Sequence, residues 1–125
     1  MKTILPKFKF KTDPVVLNAP LELTKEFIDL GCNTSFDKKI KSQATLAFIN
    51  DKKEFIQFLK TQLKNIEPDS VLWFAYPKQT SGIKTDINRD KLWEFAQEYG
   101  IRPVSAISIN DTWSGLRFRP IDKVK

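Results

Sequence analysis

The chain of 125 residues reads as an α/β domain: a mostly parallel sheet, helices on its faces, and an antiparallel hairpin at its C-terminal end. Three observations predict this. Short apolar runs alternate with helical stripes, the pattern of parallel strands joined by crossover helices. The runs at 15–17, 45–49 and 71–76 are almost continuously apolar, as strands covered on both faces are. The last two runs, 104–109 and 113–118, flank Asn110-Asp111-Thr112, a tight turn that sets its strands antiparallel.

The elements follow in order. Residues 1–13 are an arm or a strand: Lys7-Phe8-Lys9-Phe10-Lys11 alternates with period two, but an arm docking its two Phe side chains fits equally. Residues 14–125 form the α/β domain. After the strand at 15–17, Leu23, Phe27 and Leu30 make a helical stripe, with Gly31 where a helix C-terminus wants one. Residues 33–36 are expected as a short edge strand. Asp51 followed three residues later by Glu54 predicts a capped helix start, with Phe55, Ile56, Leu59, Leu63 and Ile66 as the buried stripe and Pro68 beyond the helix. The strand at 71–76 is central. Asn88 caps a third helix whose Leu92, Phe95, Ala96 and Tyr99 face inward, and Gly100 closes it.

Composition narrows the chemistry. Histidine is absent, which removes Ser-His-Asp and Cys-His catalysis and the commonest zinc ligand. Proton transfer would rest on carboxylates, Lys, Tyr or Cys32, the single cysteine. One cysteine forms no internal disulfide, and no apolar run follows the first lysine, so a reducing cytoplasm is expected. No apolar stretch is long enough to cross a membrane, and no membrane partner is expected. The net charge of +6 comes mostly from lysine; Lys52, Lys53, Lys60 and Lys64 are read as the wet side of one amphipathic helix.

Topology places the candidate site. In open α/β sheets ligands sit outside the carboxyl ends of the parallel strands. Those ends are Asn18-Ala19-Pro20, Asn50-Asp51, Tyr76-Pro77-Lys78 and Asn110-Asp111, and a reversed last strand starts at the same edge with Thr112-Trp113-Ser114. Lys78, Ser81, Gly82, Lys84 and Thr85 precede a helix start, offering ammonium groups, hydroxyls and backbone N–H groups to an anion. Gly82 lets the backbone turn tightly. The spacing is not that of a P-loop, because Ile83 separates Gly82 from Lys84 and the upstream glycine is missing. With Asp111, Thr112, Trp113 and Asn18 these residues complete the ligand-binding set. Plainer roles stand beside these: a solvated turn for 78–85, a hairpin cap for Asp111, packing for Trp73 and Trp93, and a small apolar side chain for Cys32. Trp113 packs or stacks on a ligand, and Arg117 pairs with a carboxylate or a ligand.

Two segments carry a resemblance: Trp73-x-x-x-Pro77-Lys78-x-x-Ser81-Gly82-x-Lys84-Thr85-Asp86, and Asp111-x-Trp113-Ser114-x-Leu116. With Asn18-Ala19-Pro20, they resemble a bacterial family of uncharacterised proteins, a domain of unknown function related in fold to Rossmann-type methyltransferases. The likeness runs from Val15 onward; Tyr76 stands where that family often has Trp. It implies a Rossmann-like, methyltransferase-like sheet with three main helices. Numbering the six expected strands in chain order, the order across the sheet is 2-1-3-4-6-5. The resemblance implies no reaction. A methyltransferase-type cofactor is not expected, because such sites use a glycine-rich first turn. Here that turn is Asn18-Ala19-Pro20-Leu21, and the first glycine in the chain is Gly31.

Three functions compete. The leading one is a non-catalytic binding or regulatory module that takes a small anion or a protein partner at the 78–85 loop and 110–114 turn, with no cofactor and no metal. The next is an enzyme using Lys78, Asp111 or Tyr76 for acid–base work. The third, less favoured, is nucleic-acid binding through the lysines with Trp113 or Tyr76 stacking, which a shared surface of Lys7, Lys9, Lys11, Lys38, Lys39 and Lys41 would favour.

Overall fold

The computed structural model describes residues 4–10, 13–37 and 39–123. Five strands and three helices alternate as β1 (Val15–Leu17), α1 (Leu21–Asp29), β2 (Ser42–Phe48), α2 (Lys52–Gln62), β3 (Ile66–Pro77), α3 (Arg89–Ala96), β4 (Ile101–Ser108) and β5 (Trp113–Pro120). They form one sheet in the order β1-β2-β3-β5-β4. β1, β2 and β3 are parallel; β5 is antiparallel to both β3 and β4. The sheet is therefore mixed, with its closing hairpin folded in beside the central strand as expected.

The strand order needs one correction. The expected 2-1-3-4-6-5 arrangement included an edge strand at 33–36, and that segment makes a single parallel bridge, Asn33 to Val15. The Val16 N–H donates to Asn33 O and the Asn33 N–H to Pro14 O, each at 2.8 Å. Asn-Thr-Ser offers no apolar side chain to bury, and Phe36 packs only partly on the core. A run with one apolar residue gains too little from burial to extend the ladder. The remaining five strands keep the expected relative order.

Both faces of the sheet are covered. Phe55, Phe58 and Leu59 of α2, with Leu92 and Ala96 of α3, pack on Leu72, Phe74, Leu116 and Phe118. Leu23 and Phe27 of α1 pack on the opposite face with Leu46, Phe48, Trp73 and Trp113. That opposite face is completed by the N-terminal arm. Residues Leu5–Phe8 form a 3-10 turn rather than a strand. Phe8 is fully buried there, edge-on to Trp73 and stacked on Phe10. Its carbonyl accepts the Trp73 indole N–H at 2.9 Å. Burying a Phe side chain stabilises by roughly 1.5–3 kcal/mol, enough to hold a short arm without a ladder. Pro6, which lacks an N–H, opens the turn.

Three further expectations shift. The α2 stripe uses Phe58, while Ile56 and Leu63 are only half buried. Ile66 belongs to β3, not α2, so Pro68 lies inside a strand. The β2–β3 register jumps from Ser42–Ile66 to Ala44–Val71, a bulge that accommodates Pro68 and an Asp69 at φ +57°. Trp93 is exposed at 44% rather than packed; it lies over Arg102, 5.8 Å from ring centroid to guanidinium carbon. Trp73 is core, at 1%. Cys32 is buried in the α1-side core, and that burial pushes its thiol pKa up. Lys52, Lys53, Lys60 and Lys64 are exposed on and just after α2, as expected. Among the described residues, no helix is long and apolar enough to cross a membrane.

Candidate functional site

Strand polarity brings the two motif segments together at the carboxyl edge of the sheet. The Lys78 N–H donates to Thr112 O at 2.8 Å, extending the β3–β5 ladder past Pro77 and Trp113. From there the 78–86 loop spends its polar groups on itself. Ser81 Oγ donates to Lys78 O at 2.6 Å and accepts the Ile83 N–H at 3.2 Å, closing a 3-10 turn. Gly82 ends that turn in the left-handed region, φ +84°. Thr85 Oγ1 donates to Asn50 O at 2.5 Å. Asp86 Oδ1 accepts the Lys52 N–H at 2.7 Å, satisfying a donor in the first turn of α2. Asp51 caps the same helix through Glu54 N–H, and Glu54 reaches back to Asn50 N–H. Thus Ser81 and Gly82 shape the β3–α3 connection, and Thr85 and Asp86 hold it against the β2–α2 corner.

The groups left facing outward lie beside the loop. Tyr76, Lys78, Gln79, Thr80 and Ser114 line a shallow recess of about 440 Å³, and α3 closes its far side with Asn88, Arg89 and Asp90. Tyr76 and Ser114 are register partners on β3 and β5, so their side chains share a face. Lys78 Nζ donates to Ser108 Oγ at 2.6 Å, on β4 beyond β5. The α3 N-terminus is set by Asn88, whose Oδ1 accepts the Lys91 N–H at 2.9 Å. The recess thus holds an ammonium group, a guanidinium, three hydroxyl residues and one carboxylate.

Burial pushes the Tyr76 phenol above its ordinary range; Arg89 and Ser114 pull it partly back and Asp90 raises it. At neutral pH it is a hydrogen-bond donor rather than a base.

The other predicted site residues fall outside the recess. Lys84 is exposed on the loop. Asp111 is exposed, and the hairpin turn is capped by Asn110 instead, whose Oδ1 accepts from Thr112 and Trp113 N–H at 2.9 Å each. Asn110 stands two and three residues before those N–H groups, the spacing of an Asx turn, which Asp111 lacks to Thr112. Thr112 contributes its carbonyl to Lys78 but does not line the recess. Trp113 is 5% exposed, with its ring edge-on to Phe48 at 5.0 Å, so it is core rather than a stacking platform. Asn18, at φ +58°, ends β1 and lines a different hollow with Thr34, Ser35 and Phe36. Sequence patterns do not single out Asn88, Arg89 and Asp90 as ligand groups. The one signal pointing to them is the helix start at Asn88, which lies opposite the β3 terminus.

Of the lysines considered for nucleic acid, Lys7, Lys9, Lys39 and Lys41 are exposed, and Lys11 and Lys38 lie outside the described residues. No group of three or more His, Cys, Asp or Glu placed to hold a metal ion occurs among the described residues.

No family model and no curated protein matches the chain. Among solved structures it is similar to a SAM-dependent methyltransferase from Aquifex aeolicus, with a TM-score of 0.55 and 11% sequence identity. The match covers 94% of this chain and 87% of that one. At that identity the likeness shows the fold alone: this is an α/β chain of methyltransferase-like architecture.

Proposed function

We propose that the protein is a non-catalytic binding module that takes a small phosphate-like or carboxylate anion in the recess between Tyr76, Ser114 and the start of α3. The observation that carries this is the convergence of Lys78 and Arg89, from two separate elements, on one hydroxyl-lined recess. Charged hydrogen bonds to an anion are stronger than neutral ones, and the α3 N-terminus adds up to about 1 kcal/mol. Asp90 works against this, and sets a preference for anions that also accept from hydroxyls. The raised Tyr76 pKa supports a donor role and speaks against its use as a general base. The two motif segments are the features on which the chain resembles an uncharacterised bacterial family, and the lone buried Cys32 suits a reducing cytoplasm.

The test is an NMR titration with inorganic phosphate on the wild type and on Lys78→Met/Arg89→Met. Wild-type amide shifts at Gln79, Arg89 and Ser114 are expected, with roughly tenfold weaker binding in the variant, corresponding to about 1.4 kcal/mol. Equal shifts in both proteins, or none in either, would reject the reading. Calorimetry with S-adenosylmethionine or NAD should show binding weaker than about 100 μM, roughly −5.5 kcal/mol, because the proline-containing turn after β1 has no glycine for close cofactor approach.

A further inference from the structure

At the opposite, amino edge of the sheet, the fold gathers three arginines, with Glu67 and Asp69 lining the hollow beside Arg119. Arg102 of β4 stands directly opposite Arg119 of β5, and like charges facing each other across two strands oppose pairing. Arg117 lies two positions earlier on β5, on the same face as Arg119. Asp69 answers this group: Arg119 Nε and Nη2 donate to its carboxylate at 2.9 and 3.1 Å. The same carboxylate also feels Arg117 and Lys123. The Nε atoms of Arg102 and Arg117 are buried and make no hydrogen bond among the described residues. A buried charged donor without an acceptor is costly.

An aromatic platform adjoins the cluster. Trp93 is the exposed tryptophan of the three, and Arg102 bridges it to the β5 arginines. Along α3 its neighbours one turn back are Arg89 and Asp90, which offset each other. The strip therefore runs from an indole face, around the free β4 edge, to two guanidiniums on the sheet.

We infer that Trp93, Arg102, Arg117 and Arg119 form a binding surface for single-stranded nucleic acid. The guanidinium forks match phosphate oxygens, and an indole face accepts any base by stacking. A narrow strip of guanidiniums beside an indole face suits a strand better than a globular acidic partner. A further copy of the chain pairing along β4 would add its own Arg102 to the cluster, increasing the charge rather than answering it. This surface is separate from the Tyr76 recess, and each stands or falls without the other.

The experiment titrates a short oligo(dT) at low salt and follows tryptophan fluorescence, which reports chiefly on Trp93 because Trp73 and Trp113 are buried. Saturable quenching is expected, and Trp93→Phe should remove it. Arg102→Met/Arg117→Met should weaken binding roughly tenfold and reduce the slope of log affinity against log salt by about 1.4, or about 0.7 for each lost phosphate contact. Arg119 is left in place because it holds Asp69. The control Lys52→Met/Lys60→Met removes equal charge from α2 and should change affinity less than about twofold. Absence of quenching overturns the inference, as does an equal loss in the lysine control. Polyglutamate or heparin quenching Trp93 as strongly per charge also overturns it, leaving a generic polyanion surface. Should the arginine variant fail to fold, amide shifts in the wild type decide: movement at 101–105 and 117–119 supports the surface, and movement confined to Gln79 and Arg89 rejects it.

Discussion

Residues 77–86 and residues 88–90 are neighbours in sequence and in space, and they use their polar groups in opposite ways. The longer segment is dense with residues that suggest a ligand loop, yet Ser81, Thr85 and Asp86 point their side chains at backbone partners within the fold. The shorter one has an ordinary composition, yet Arg89 and Asp90 face an open recess. The difference is one of satisfaction. A hydroxyl or carboxylate that completes a turn or a helix start has little left to offer a ligand, whereas a cation in the first turn of a helix has no nearby backbone acceptor. A motif can therefore mark how a loop is held in place as readily as what it binds.

The largest expected effect separates these two roles. Thr85→Val with Asp86→Ala removes the bond to Asn50 O and frees the Lys52 N–H at the start of α2. Losing a cap and a further hydrogen bond should cost about 2 kcal/mol in urea unfolding. Phosphate affinity of the folded fraction should stay the same. The reverse pattern belongs to Lys78→Met/Arg89→Met, whose stability should move by only a few tenths of a kcal/mol, since exposed charges add little. If the Thr85/Asp86 variant keeps its stability and loses phosphate binding, the comparison is inverted.

Next in size is Gly82→Ala. A Cβ at this position would meet nothing within 4 Å, so no clash contributes. What remains is the backbone: φ is +84°, where an L side chain is strained. The expected cost is about 1 kcal/mol, read as a lower urea midpoint with an unchanged slope. An unchanged midpoint would mean that the loop does not depend on its left-handed turn, and the holding role of 77–86 would lose its main support.

The sequence made some of this legible and not the rest, for physical reasons. Continuous apolar runs and capped helical stripes located β1, β2, β3, α1, α2 and α3, because burial and capping leave local patterns. Strand polarity then put Tyr76, Lys78 and Ser114 at one edge. The extent of β3 was hidden, since Pro68 ordinarily ends elements and only the bulge with Asp69 lets the strand continue. Arg89 was hidden because a surface arginine in a first helical turn resembles any other. Its role depends on where α3 packs against β3 and β5, and no spacing within the helix encodes that. Asn110 and Asp111 are both turn formers, and geometry chose the former. Trp93, expected to pack, is exposed because Leu92 and Ala96 carry the α3 stripe, and Trp113, left between packing and stacking, is buried edge-on to Phe48.

The smallest effect is the most direct probe of the recess. Tyr76 is half buried, and its pKa is raised from 10.0 chiefly by that burial. The unfolded chain therefore releases this proton at lower pH than the folded one. The contribution to stability is fully present below the unfolded value and is lost as pH rises through the folded one. The other tyrosine is Tyr99, so Tyr99→Phe leaves a single phenol whose ultraviolet titration reports on Tyr76. Its midpoint should lie above that of the same protein in urea. Saturating phosphate should move it further up, because a bound anion disfavours a phenolate beside it. A midpoint that ignores phosphate would place the anion elsewhere. A midpoint below that of the unfolded chain would show that Arg89 and Ser114 outweigh burial, turning Tyr76 from a donor toward the anion into a group ready to ionise.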